Sequence, residues 1–305
     1  MITSIFGKVQ NYDWGKVDQG TVYEVVKSFN TQLSKNQKYA EYWMGTHKNA
    51  CSTLPNNELL STITNLPFLF KILSVNKALS IQAHPDKELA IKLHRSNPTN
   101  YKDDNHKPEM CICITNEFEA LSGFCSESQF AKNCQEIPEI INIIGTGSFK
   151  SQFAQLMTCS SQQIETQIHA LQARNTHSPL VSLILVLNQQ YPNDVGVFCP
   201  VFMNHVKLNK YEALFMAANE PHAYLKGDCI ECMANSDNVV RAGLTPKFRD
   251  VDNLLSMLTY KRYEIKDLLV QPVQKGKLWH YASPVSEFDV YKIELTTGQD
   301  GSIQS

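Results

Sequence analysis

The sequence has little that would mark a nucleic-acid or membrane protein. Its 28 lysines and arginines face 30 aspartates and glutamates, giving a formal net charge of -2, and no basic block stands out. A phosphate-tracking surface is therefore excluded, and no nucleic-acid partner is expected. The opening residues MITSIFGKVQNYDWGK hold no apolar h-region, so no secretory signal is expected. The longest apolar stretch, Leu180 to Leu187, is interrupted by Ser182. It falls far short of the roughly 20 residues that a membrane span requires. No G-x-x-x-x-G-K-[ST] occurs, which removes a P-loop. Gly145-Thr146-Gly147 is too short for a dinucleotide fingerprint and reads as a turn between helices. The nine cysteines are an odd number without framework spacing, which points to reduced, mostly buried thiols. Cys229 and Cys232 form the one C-x-x-C and read as two thiols on a strand. A cytoplasmic location is the expectation.

What is present is an ordinary globular balance, 43% hydrophobic and 19% charged residues. Its 305 residues correspond to about two domains at roughly 150 residues each. The first third reads as β-rich. From Ala78 to His84 the chain alternates, placing Leu79, Ile81 and Ala83 on one side of a strand and Ser80, Gln82 and His84 on the other. Pro85 ends that strand, and PDKELAIKLHRS then has helical spacing. From about residue 126 to 190 the period changes. Ser126 with Gln129, and Ser160 with Gln163, have the form of capping boxes. Phe149, Phe153, Leu156 and Met157 recur at helical period, as do Ile164, Ile168 and Leu171. After Asp194, VGVFCPVFMNHV, EALFMA and GDCIECM read as short antiparallel strands of a jelly roll or related barrel.

Three stretches carry metal chemistry. Gln82 and His84, two apart on a strand, can face one ion, with imidazole the stronger ligand and an amide oxygen the weaker. In NHKPEM, Glu109 opens the apolar run MCICI and can present a carboxylate inward. In PHAY, His222 stands at the start of another strand.

Together these motifs resemble the type I phosphomannose isomerases. YDWGK, AEYWMGTH, PFLFKILSVNKALSIQAHPDK, NYKDDNHKPEM and PHAYLKGDCIECMANSDNVVRAGLTPKFRDV follow the family's order over nearly the whole chain. The resemblance implies a mainly β, cupin-like jelly roll with an inserted helical subdomain. The implied division is 1–120 and 193–265 for the two parts of the catalytic unit, 121–192 for the insertion, and 266–305 for the start of a second, truncated jelly roll. It also implies one zinc ion on Gln82, His84, Glu109 and His222. Interconversion of mannose 6-phosphate and fructose 6-phosphate through a cis-enediol(ate) follows, feeding mannose activation for glycan synthesis.

By the same resemblance Arg241, Glu231 and Lys107 are catalytic candidates, with Asp237 a further proton carrier. Ser80, Lys87 and Lys247 are candidates for the phosphate, and Trp14 and Glu41 for the substrate pocket. The expected partner is a small sugar phosphate, the expected state a monomer. Two rivals are a metal-dependent cupin oxygenase, which a facial triad of two His and one carboxylate would suit, and a sugar-phosphate-binding cupin without activity. In the tail, Phe288, Val290, Ile293 and Leu295 are expected to lack covering strands.

Overall fold

A computed structural model of the chain describes residues 3–30 and 33–295. Two long strands, Glu109–Cys125 and His222–Ala234, run antiparallel side by side and organise it. Strands of this length bend with the natural twist. Here register shifts between Tyr224 and Lys226, and between Gly227 and Cys229, sharpen the bend. Gly227 has φ 108°, and a Cβ there would lie 2.7 Å from the Glu117 carbonyl oxygen, so glycine is required.

On either side of the bend each long strand changes partners. His222 stands opposite Gln82 of Ile81–Ala83, whereas Gly227 to Ala234 pair with the strand Phe68–Val75. Glu109–Cys125 pairs first with Ala213–Met216 and then with Met203–Asn209. Glu41–Gly45 and Lys8–Gln10 extend the far edge. Among the described residues this gives an eleven-stranded sheet, antiparallel apart from the short pairing of Arg262–Tyr263. The partner exchange curls it into the expected cupin-like form.

The helices follow the sequence periodicity. The expected helix after Pro85 is Lys87–Ser96, and those between residues 127 and 190 are Glu127–Glu136, Ile141–Ile144, Phe149–Thr158, Ser161–Ala173 and Pro179–Gln190. Gly145, with φ 56°, ends one of them at the expected turn. Ser160 and Gln163 form a complete capping box. The expected box at Ser126 is only half made. Ser126 accepts from the Gln129 N–H, but the Gln129 amide turns to Asn133 Oδ1 at 2.8 Å. The buried face of the helices, including Phe153, Leu156, Ile164, Ile168 and Ile184, shares one core with Ile81, Ala83, Val240 and Ala242. The helical layer thus covers one face of the small strands Ile81–Ala83 and Val240–Gly243. Alternation then turns Gln82 and Arg241 to the opposite face.

Two expectations are corrected. Val195–Val201 is a 3-10 helix, and the strand begins only at Met203. All seven residues of that helix are buried, and a continuous apolar run does not distinguish a strand from a helix. Asp194 caps the helix through Gly196 N–H at 2.7 Å, and Pro200 has no N–H for a ladder. In the tail, Val273–Lys275, Leu278–Tyr281 and Val290–Ile293 form a three-stranded sheet. Phe288 and Val290 are buried against Met110, Ile112 and Tyr281. The main sheet covers them in place of further strands. Ile293 and Leu295 are exposed, as expected. The final GQDGSIQS lies outside the described residues.

Candidate metal centre

The two paired strands and the short strand Ile81–Ala83 beside them aim three candidate ligands at one point. Glu109 opens Glu109–Cys125, His222 opens His222–Ala234, and His84 follows Ile81–Ala83. One ligand atom from each lies within 4.8 Å of the others, and all three residues are buried. His84 Nε2 is 3.3 Å from Glu109 Oε1, and His222 Nε2 is 3.2 Å from Glu109 Oε2.

Tautomers follow from the other ring nitrogens. His84 Nδ1 donates to the Asn238 carbonyl at 2.7 Å, and His222 Nδ1 to the Glu220 carbonyl at 3.2 Å. Each Nε2 then carries a lone pair directed at carboxylate oxygen. His84 Nε2, His222 Nε2 and Glu109 Oε2 are buried without a hydrogen-bond partner. Lone pairs converging on one another in a buried space require a cation, so these residues fit a metal ion.

The electrostatics agree. Burial pushes the His84 imidazole down to about 4, against the pull of Glu109, leaving it neutral as a ligand must be. Burial alone would raise the Glu109 carboxyl, but the Lys107 ammonium beside it holds it well below its ordinary value. Lys107 Nζ reaches Glu109 Oε1 at 2.9 Å.

Gln82 joins this group by register. It stands opposite His222 on one side and Arg241 on the other, so the three share a face. Arg241 is half-buried, and burial lowers it, but guanidinium remains charged.

Glu231 sits deeper on the same strand as His222. Lys71 Nζ reaches its Oε2 at 2.7 Å, and the Tyr224 hydroxyl donates to its Oε1 at 2.9 Å. Glu41 is 3.9 Å from Lys71 Nζ and accepts from Trp43 Nε1. Burial would push Lys71 down, but Glu231 and Glu41 hold it above its ordinary value. Burial raises Glu41, and nearby Glu231 adds to this. Asp237 meets His47 Nε2 at 3.3 Å.

The remaining sequence candidates are less central. Lys87 is exposed and donates to Asn105 Oδ1 at 3.0 Å. Lys247 is exposed, and Ser80 is half-buried just before Ile81–Ala83. Trp14 packs against the core around Leu73 and Tyr224. Lys71 and Tyr224 were missed. The signal for Lys71 was a lysine in the apolar run FLFKILSV, two residues from the inward Leu69 and Leu73. Cys229 and Cys232, three apart on one strand, face opposite ways, and all nine cysteines are free.

A curled antiparallel sheet with two histidines and a carboxylate on its inner face defines a metal-binding, cupin-like protein. A model of the type I phosphomannose isomerase catalytic domain matches residues 2–65 and 60–126, and one of the type I helical insertion domain matches 125–203. Mannose-6-phosphate isomerase of Saccharomyces cerevisiae is 39% identical over 92% of this chain and 80% of its own length. That of Candida albicans is 41% identical over 96% and 81%. Crystal structures of mannose 6-phosphate isomerase superpose with 30% identity over 95% of this chain and 82% of theirs. One carries zinc and yttrium, and another, from Salmonella typhimurium, carries substrate and zinc; each has a TM-score of 0.83. The chain belongs to the type I phosphomannose isomerase family.

Proposed function

We propose that the chain interconverts mannose 6-phosphate and fructose 6-phosphate, using one zinc ion held by His84, Glu109, His222 and Gln82. The observation that carries this reading is the convergence of His84 Nε2, His222 Nε2 and Glu109 Oε2, buried and unpartnered, in a chain of this family. Bound zinc would supply Lewis-acid polarisation of a sugar oxygen.

The chain's own residues do the rest. Aldose–ketose exchange moves a proton between C1 and C2 while negative charge develops on oxygen, giving a cis-enediolate. Arg241 supplies a fixed cation for that charge from the Gln82 face. Glu231, oriented by Lys71 and Tyr224, and Lys107 are the groups proposed to hold or move the proton. Ser80, Lys87 and Lys247 are the proposed phosphate contacts, with Trp14 and Glu41 shaping the pocket.

We further read 1–120 and 193–265 as the catalytic unit, 121–192 as the helical insertion and 266–305 as the start of a C-terminal jelly roll. The match of the helical insertion model to 125–203 supports the central division. Among the described residues no helix is long and apolar enough to cross a membrane. A cytoplasmic monomer feeding mannose activation for glycan synthesis accords with that and with the near-neutral charge.

A coupled isomerase assay tests the reading. Activity is expected with mannose 6-phosphate, lost on chelation and restored by zinc. A zinc-loaded protein without isomerase activity, or one that consumes oxygen instead, overturns it.

A further inference from the structure

The Asn238 carbonyl that fixes His84 belongs to the 236–238 loop, in which Ser236 and Asn238 also donate to the Asn105 carbonyl at 3.1 and 2.9 Å and Asp237 meets His47 and Asn49. Asp103 makes the largest set of these contacts from across the site. Asp103 Oδ1 accepts from Ser236 Oγ at 2.8 Å, from Asn238 Nδ2 at 3.2 Å and from the Asn105 N–H at 3.0 Å. Its Oδ2 accepts from the Asp237 N–H at 2.8 Å, and its backbone carbonyl from Asn238 Nδ2 at 2.7 Å. Ser236 Oγ in turn accepts from the Asn238 N–H at 3.1 Å. Asn238 is fully buried, so its amide has no water to fall back on.

We infer that Asp103 is a positioning residue for the metal centre, clamping the 236–238 loop so that the Asn238 carbonyl holds His84 with Nε2 facing the ion. The inference rests on the zinc reading proposed above. Asp103 lies on the segment that continues to Lys107 and Glu109. One carboxylate therefore ties the loop that leads into Glu109 to the loop that orients His84, and bears on the spacing of two ligands at once. An imidazole free to rotate loses affinity for the ion without losing a ligand, and outer partners of this kind typically contribute about 10- to 100-fold in metal affinity. A neutral amide would not replace the carboxylate. Every side-chain contact Asp103 makes is as an acceptor, and an NH2 group would face donors at Ser236, Asn238 or Asp237.

The test is zinc affinity of the full chain, measured by competition with a chromophoric chelator, for wild type, Asp103→Asn and Ser236→Ala. Asp103→Asn is expected to bind zinc about 10- to 100-fold more weakly, and Ser236→Ala in the same direction by less. At saturating zinc, kcat and KM for the sugar phosphate should return close to wild type, which a general loss of structure would not allow. Thermal melts of the zinc-free proteins check folding, and if Asp103→Asn does not fold, Ser236→Ala decides. Zinc affinity within twofold of wild type in the folded variants overturns the inference. If wild type itself binds no zinc, it is the zinc reading that fails.

Discussion

Arg241 lies directly opposite Gln82 across the pairing of Val240–Gly243 with Ile81–Ala83. Because Gln82 also stands opposite His222, the guanidinium stem starts one strand spacing from the amide and two from the imidazole, on their face. Within the described residues no hydrogen bond or ion pair engages the Arg241 guanidinium, which leaves its charge free for a ligand oxygen.

Arg241→Ala should accordingly lower kcat by about 10²- to 10³-fold, the loss seen when a preorganised oxyanion donor is removed. Zinc content and folding should stay near wild type. Arg241→Lys should recover only part, because a point charge does not reproduce the guanidinium fork. Steady-state kinetics separate this from a phosphate contact, for which KM would rise while kcat held. A stable, zinc-loaded Arg241→Ala protein with normal kcat would sink the assignment.

Lys71 stands between two buried carboxylates, Glu231 and Glu41. Lys71→Met should destabilise the fold by about 3–5 kcal/mol, the usual cost of leaving a buried charge unpaired. Lys71→Met with Glu231→Gln should regain part of that stability while remaining inactive. Urea denaturation of the single and double variants gives the comparison, and strict additivity would show that the pair is not coupled.

Glu119 sets an acid limit. The hydrogen bond from His205, then those from Lys207 and Lys226, hold its carboxyl well below the ordinary value despite burial. A depressed folded pKa stabilises above the unfolded value of about 4.3, and that contribution is lost as pH falls toward the folded value. Stability should therefore drop below about pH 4, and Glu119→Gln should flatten this limb. Equal acid midpoints for the two proteins would exclude Glu119 as its source.

Phe288 reports on the tail. Its side chain is 6% exposed and packs against the main sheet. Phe288→Ala should cost about 3–5 kcal/mol, as for other buried aromatics. A change within about 0.5 kcal/mol, typical of a surface position, would mean that the packing does not hold in solution.

The sequence by itself determined whatever is local. The alternation from Ala78 to His84 placed Gln82 on a face opposite Ile81 and Ala83, and a 3.6-residue period with serine caps marked the helical insertion. Those patterns are read within a few residues, because side-chain direction follows backbone period. The family motifs added the candidate ligands, but not their geometry. Tertiary structure alone decided that His84, Glu109 and His222 meet, since that depends on which strands pair and in what register. A one-residue slip there would turn every ligand outward. It also decided that Val195–Val201 coils as a 3-10 helix, that Lys71 neutralises Glu231, and that the main sheet covers Phe288. Each of these rests on partners far away in the chain, and the pairing of distant groups leaves no periodic mark on the sequence around them.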